Sequence, residues 1–336
     1  MSKGKFFGFL FFLISVILLS LSPVSAQDQA ITNGIQWLRD SQSPDGYWGE
    51  ETEPLPVLLL RTTNVTNTLH CLNSTDTTYQ NAIGWIETQD VKDTRFLSRK
   101  IEALVNTGSD TSDSVSLLVS YQNNDGGWGG YKDYGSRPFD TTLALRALQV
   151  ANYSDNLIIE EAILYLLSQQ NADGGWELTK DYESSIYLTS LALLVLENHR
   201  ETYNLYSQLY NGAWWLGNQQ NQDGGFGKDG STVWETALAY QALISSQLSG
   251  VSSQLVNALG YIESSQTEDG SWNGNAYETA LALRALKDSG PDLTVSSEDL
   301  SFSPMVPIEG ETVTITAVVR NRGGTSVENV KVVTVL

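Results

Sequence analysis

The chain has 336 residues, 41% of them hydrophobic and 17% charged, enough for one large domain or two ordinary ones with an ample core. Its 39 acids against 19 basic residues give a formal net charge of −20 at pH 7, and a surface this acidic argues against nucleic acid and anionic lipid as partners. A single cysteine, Cys71, excludes an internal disulfide framework, so stability has to come from packing.

The first 26 residues read as a segment apart. Lys3 and Lys5 precede an almost wholly apolar run from Phe6 to Leu21, and Val24-Ser25-Ala26 supplies small residues for cleavage. This predicts a secretory signal peptide over 1–26, cut after Ala26, with an uncleaved anchor as the rival reading; no lipobox cysteine follows the run. Loss of the two lysines moves the charge to −22, and the expected location is extracellular, at the cell surface or periplasmic. No later stretch is apolar enough to span a bilayer. Asn64, Asn73 and Asn152 each open a glycosylation triplet, a pattern common by chance.

From residue 27 onward one short phrase returns in phase: Gln42 to Trp48, Gln122 to Trp128, Gln170 to Trp176, Gln220 to Phe226 and Gln266 to Trp272. Each has Asp three, Gly four and an aromatic six residues after the Gln. Successive aromatics lie 80, 48, 50 and 46 residues apart, so the long gap hides one degenerate copy. Apolar residues at helical spacing precede the phrases, as at Trp37-Leu38, Tyr165-Leu166, Trp215-Leu216 and Tyr261-Ile262. They predict a helix that Asp-Gly then stops, with the glycine as a left-handed cap. A second helical pattern follows each phrase. Four of these align without gaps from Phe139, Tyr187, Trp234 and Tyr277. The first copy's is Val57 to Leu72, and the degenerate copy is Tyr79 to Gln89 with Asp93 to Val105. Six helical hairpins of roughly 44 residues cannot each bury an apolar face alone and must stack. The predicted fold is all-α, an α6/α6 toroid over 27–290 with an inner helical barrel inside an outer one; an open superhelix is the rival.

Gln-x-x-Asp-Gly-x-Trp at the end of an outer helix resembles the QW repeat of the terpenoid cyclase and protein prenyltransferase superfamily, over nearly the whole mature chain. The resemblance implies an α/α-toroid in which Gln42, Trp48, Gln122, Trp128, Gln170, Trp176, Gln220, Phe226, Gln266 and Trp272 are structural, clasping neighbouring hairpins. A tryptophan over a glycine turn also shields backbone groups that no helix bond satisfies. Fold alone does not carry chemistry. Hopene-type cyclases protonate an alkene with Asp-x-Asp-Asp-Thr. The nearest run here, Arg137-Pro138-Phe139-Asp140-Thr141, lacks two of the three carboxylates and brings in an arginine. Prenyltransferase zinc binding needs Asp-x-Cys, which the sequence lacks. His70 and Cys71 are adjacent and point roughly 100° apart on a helix, and His199 is distant, so no metal and no cofactor is expected. Cys71 reads as a small buried hydrophobe. Cys71-Leu72-Asn73-Ser74 also fails the Cys-Gly-x-Gln of complement-type thioester domains.

One pattern exceeds the needs of packing. Phe139, Tyr187, Trp234 and Tyr277 share a register at the start of the second helices, and Asp140, Glu235 and Glu278 follow three of them. Arg146, Leu194, Gln241 and Arg284 lie seven residues on, hence on the same face. In a ring of parallel inner helices the aromatics and acids gather near one mouth, where they can stack sugars or hold a cation, above a partly polar wall. First-turn acids are also favoured by the helix dipole and the aromatics can act as hydrophobic staples, so packing is the competing account.

After Lys287-Asp-Ser-Gly-Pro291 the character changes. Asp292 to Val295 begins short extended segments, Thr312 to Ala317 alternates, Asn321 to Gly324 turns, and Val327 to Leu336 reads as another strand. Residues 291–336 resemble the start of a CARDB module, an immunoglobulin-like β-sandwich, of which only part is present. The functional expectation is a secreted or surface toroid that binds a small molecule, glycan or surface protein without catalysis. Its candidate ligand residues are Phe139, Tyr187, Trp234, Glu235, Tyr277, Glu278, Arg146 and Arg284. The alternative is a divergent toroid enzyme, terpenoid-acting or carbohydrate-active, with Asp140 as the best catalytic candidate.

Overall fold

The computed structural model describes residues 26–248 and 250–289, and the backbone of four short strands between 293 and 321. Among the described residues there are twelve α-helices: α1 (Ala26–Asp40), α2 (Leu55–Cys71), α3 (Thr77–Thr88), α4 (Thr94–Leu104), α5 (Ser112–Val119), α6 (Pro138–Val150), α7 (Asn156–Ser168), α8 (Ile186–Leu196), α9 (Tyr206–Gly217), α10 (Val233–Ser246), α11 (Ser252–Ser264) and α12 (Ala276–Ser289). Local chemistry starts several of them. Before α3 the Asp76 carboxylate accepts the Thr78 amide at 3.1 Å, and before α7 the Asp155 carboxylate accepts the Leu157 amide at 3.0 Å. Pro138 opens α6, where no intrahelical amide is needed.

The even-numbered helices pack on one another in a closed circuit: α2 on α4, then α6, α8, α10 and α12, and α12 back on α2. The odd-numbered helices lie against them, α1 on α12, α3 on α2 and α4, α5 on α4, α7 on α6, α9 on α8 and α10, and α11 on α10 and α12. This is an α/α toroid. Ala144, Ala192, Ala239 and Ala282 share one inner-helix register, and all are fully buried, which lets those helices approach closely. The seam where α1 and α2 meet α12 is hydrogen-bonded. Thr68 Oγ1 donates to the Ala280 carbonyl at 3.1 Å, and Gln27 Nε2 to the Leu286 carbonyl at 2.5 Å and Ser289 Oγ at 2.8 Å.

The five phrases do one mechanical job. In each, the glutamine amide donates twice: to the carbonyl of its own turn glycine, and to a carbonyl in the first turn or two of an outer helix nearby. Gln42 reaches Thr78 at 2.8 Å, Gln122 reaches Ile158 at 2.9 Å, Gln170 reaches Gln208 at 2.9 Å, Gln220 reaches Gln254 at 2.8 Å, and Gln266 reaches back to Ala30 at 2.9 Å. Each indole N–H of Trp48, Trp128, Trp176 and Trp272 donates at 2.7–2.8 Å to the carbonyl ten residues before it, at the end of the preceding helix. The aromatic's own amide donates to an inner-helix threonine hydroxyl: Thr62, Thr141, Thr189, Thr236 or Thr279. These threonines stand in one register of the gapless copies, a signal the sequence carried but packing arguments alone did not assign. The degenerate copy lacks the clasp. There Gln89 bonds within its own helix, and Lys100 Nζ covers the Glu87 and Gln89 carbonyls at 2.9 and 2.6 Å. Replacing Gln170 by alanine removes two hydrogen bonds to part-buried carbonyls and is expected to cost about 1–3 kcal/mol, read as a lowered urea midpoint at unchanged slope.

The phrase aspartate shapes the turn. Asp269 Oδ1 accepts from Thr267 Oγ1 at 2.7 Å, the Ser271 amide at 2.9 Å and Ser271 Oγ at 2.7 Å, and these bonds hold its carboxyl down at about 2. An unfolded aspartate titrates near about 3.9, so the ionised turn contributes stability above that pH that is lost as pH falls towards the folded value. A series of thermal midpoints between about pH 2 and 5 should fall on acidification, and less steeply in Asp269→Asn.

Two expectations need correction. The turn glycines Gly46, Gly126, Gly174, Gly224 and Gly270 do have φ of +98°, +84°, +99°, +87° and +91°. They lie six or seven residues beyond the last helical residue, however, so they are not helix caps. The helices fray first through ordinary right-handed residues such as Gln169 and Ser265. The glycine then serves a separate tight turn, in which the Gly174 amide donates to the Asn171 carbonyl at 3.0 Å. A Cβ on Gly174 would stand 2.6 Å from the Asn211 carbonyl of α9, so close helix approach as well as φ demands glycine. Cys71, expected buried, ends α2 and is exposed, because the helix stops there at the protein surface. The signal segment before Ala26 lies outside the described residues. Of the expected β module only two antiparallel pairs are described, β1 (Leu293–Thr294) with β4 (Arg320–Asn321) and β2 (Leu300–Ser303) with β3 (Thr314–Ala317).

Candidate functional site

Because the inner helices share a direction, the residues that open them meet at one mouth of the toroid. Phe139, Tyr187 and Trp234 are the second residues of α6, α8 and α10, and their rings form a chain with centroids 5.7 and 5.3 Å apart. Arg95 of α4 places its guanidinium 5.0 Å from the Phe139 ring and donates through Nε to Asp140 Oδ1 at 2.5 Å. Asp140 is fully buried, and its Oδ2 meets no hydrogen-bond partner among the described residues. It thus holds Arg95 over the ring and does not line the cleft. Glu278 turns aside, accepting from Asn273 Nδ2 at 2.7 Å. Tyr277 points inward to Tyr187, and burial pushes its phenol up.

Glu235 stays at the cleft. It lines a cavity of about 630 Å³ together with Arg95, Phe139, Tyr187, Trp215 and Trp234. Thr232 Oγ1 donates to its Oε2 at 2.9 Å. In a capping box this glutamate would take the Thr232 amide, but that amide donates to the Phe226 carbonyl at 2.9 Å. Burial pushes the Glu235 carboxyl above the ordinary carboxylate range; the Thr232 hydrogen bond opposes this, and the Asp229 charge adds to it. The four predicted aromatics therefore come together, whereas the three predicted acids separate and one faces the open space.

Below the rim the lumen is nearly filled. Arg99, Glu102, Arg146, Gln241, Arg284 and four leucines surround about 30 Å³, room for roughly one water molecule. Arg146 Nε pairs with Glu102 Oε2 at 2.9 Å. The predicted stripe does face inward, with Arg146, Gln241 and Arg284 on the lumen wall. Leu194 lines instead a cavity of about 730 Å³ at the opposite mouth, where the inner helices end, with Gln149, His199 and Tyr203. The sequence reading missed Arg95, Arg99 and Glu102, which belong to the degenerate copy, where no alignment with the other four helices could bring them into register.

Enzymes are among the similar solved structures. A protein from Actinoplanes is 16% identical with a TM-score of 0.65, over 78% of this chain and 98% of that chain. The type II terpene cyclase MstE from Scytonema, in its apo form, is 12% identical with a TM-score of 0.63, over 78% and 97%. The ent-copalyl diphosphate synthase from Streptomyces platensis is 18% identical with a TM-score of 0.56, over 69% of this chain and 50% of that one. No curated protein matches the sequence. These catalytic neighbours overturn the expectation of a toroid that binds without catalysis, which rests on the absence of the cyclase and prenyltransferase motifs. The prenyltransferase alpha-alpha toroid domain matches residues 2–184 and 94–280, and the chain belongs to that family.

Proposed function

We propose that the protein is a divergent toroid enzyme that starts its reaction by protonation, with Glu235 as the general acid and an isoprenoid alkene as substrate. One observation carries the reading: a carboxyl whose pKa burial raises stands in a cleft walled by Phe139, Tyr187 and Trp234. A neutral carboxylic acid donates a proton, and aromatic faces stabilise the cation that results. MstE, a structural neighbour, has been seen with geranylgeranyl dihydroxybenzoate as substrate, which supports the choice of substrate class. The filled lumen confines the chemistry to the mouth, so the substrate is a short chain or the end of a long one. The test is incubation of the purified protein with prenyl substrates in heavy water. Cyclised or hydrated product carrying one solvent deuteron supports the reading, and unchanged substrate at all chain lengths overturns it.

A second reading draws on the polar rim of the same cleft, where Glu177, Glu183 and Lys228 flank the aromatics. A sugar stacked on Trp234 and protonated by Glu235 would make the enzyme carbohydrate-active, and release of reducing ends from glycans would reveal it. The closed circuit of inner helices supports reading the toroid as six hairpins over 27–290. The strand pairs after Leu293 support a CARDB-like module. We further infer export, from the apolar segment before Ala26.

A further inference from the structure

The mouth opposite the aromatic cleft carries a feature that the proposed reaction does not use. Its cavity of about 730 Å³ is of ordinary ligand size, and its floor is formed by Arg146, Gln241 and Arg284. Arg146 is neutralised by Glu102 at 2.9 Å. Arg284 projects into the same space from α12, and no hydrogen bond or ion pair joins its guanidinium to any described residue. Glu102 and Asp288 lie within its field without touching it. An arginine stays charged in a protein, and a guanidinium at the floor of a recess is costly unless something accepts its five N–H donors. The walls are rich in amides and hydroxyls. Gln149 Nε2 donates to the Val195 carbonyl at 2.8 Å and lies 2.6 Å from His199 Nε2, and Asn198 and Tyr203 complete that side.

From this geometry we propose that the mouth formed by the C-terminal ends of α6, α8, α10 and α12 binds a small polyhydroxy carboxylate, its carboxylate bidentate on Arg284. The guanidinium fork matches a carboxylate. The sugar-like body follows from the amide and carbonyl wall, which offers both donors and acceptors to hydroxyl groups. The charge follows from the surroundings. The helix C-terminal carbonyls, Asp288 and the net −20 of the chain all penalise a multiply charged anion, so one carboxylate against one unpaired arginine is the match. This site lies across the lumen from Glu235 and is independent of the reaction proposed there.

The experiment is calorimetric titration of the full chain with glucuronate, with glucose as its uncharged counterpart and with pyrophosphate as a polyanion. Glucuronate should bind, glucose should not bind measurably, and pyrophosphate should bind more weakly than glucuronate. Arg284→Gln should weaken glucuronate about 10- to 100-fold with circular dichroism unchanged. A second measurement needs no variant: glucuronate should protect Arg284 of the wild-type chain from phenylglyoxal, read by mass spectrometry. Failure of glucuronate to bind or to protect Arg284, equal binding to a folded Arg284→Gln variant, or tighter binding of pyrophosphate would each overturn the proposal.

Discussion

Trp176→Ala is expected to destabilise the toroid by about 3–5 kcal/mol. Its ring is fully buried and its indole N–H donates to the Leu166 carbonyl at 2.8 Å, while its amide is held by Thr189 at 2.9 Å. Truncation leaves a cavity, a lost hydrogen bond to the Leu166 carbonyl and a loosened turn in one step. For a domain of this size the loss corresponds to a fall in thermal midpoint of roughly 6–20 °C. Trp176→Phe is the informative partner. The fourth phrase already carries Phe226, fully buried and without an N–H, so the position accepts the smaller ring. That change should cost only about 1–2 kcal/mol. If Trp176→Ala melts within 2 °C of the parent (roughly the scale of a half kcal/mol change), the clasp account fails.

Glu235→Gln is expected to lower the turnover of the active substrate by about 10²- to 10⁴-fold while leaving the melting transition in place. The amide keeps the shape and can still accept from Thr232, but its N–H protons are not acidic enough to transfer. The pH profile gives an independent check. The carboxyl sits above the ordinary carboxylate range because burial favours its neutral form. The acid form is the active one, so the rate should be flat at low pH and fall about tenfold per pH unit above the raised pKa, a decline absent from the residual activity of Glu235→Gln. A profile that rises through the same range would make Glu235 a base and remove it from the role of proton donor.

The fold was legible because its information is local and repeated. Gln, Asp, Gly and an aromatic at fixed spacing mark the turn, and apolar spacing on either side marks the helices. The boundaries of α2, α3 and α4 came within a residue or two of the expectation, even in the degenerate copy. What the phrase did beyond marking turns was not legible. Its glutamine reaches a carbonyl 34 to 38 residues onward in four copies, and no local pattern announces that partner. The aromatic register at Phe139, Tyr187 and Trp234 predicted the rim, since identical register in parallel helices means identical height. The acids in the same register did not stay together. Asp140 was captured by Arg95, a residue of the degenerate copy, which is outside the gapless alignment, and Glu278 by a loop asparagine. The cavity around Arg284 was hidden for a related reason: half of its wall comes from the irregular segments around Asn152 and between Asn198 and Tyr203, which follow the inner helices and share no motif.

The seam between α1 and α12 has a consequence for how the chain is made. The carbonyl of Ala30 waits for Gln266, and the side chain of Gln27 waits for Leu286 and Ser289, separations of 236, 259 and 262 residues. Among the described helices, the first to leave the ribosome is therefore the last to be completed. Until nearly 290 residues have been synthesised, the face of α1 that packs on α12 has no partner to cover it. A nascent chain stalled before Gln266 would stay an unsealed arc, and that is the form a holdase chaperone would find attractive.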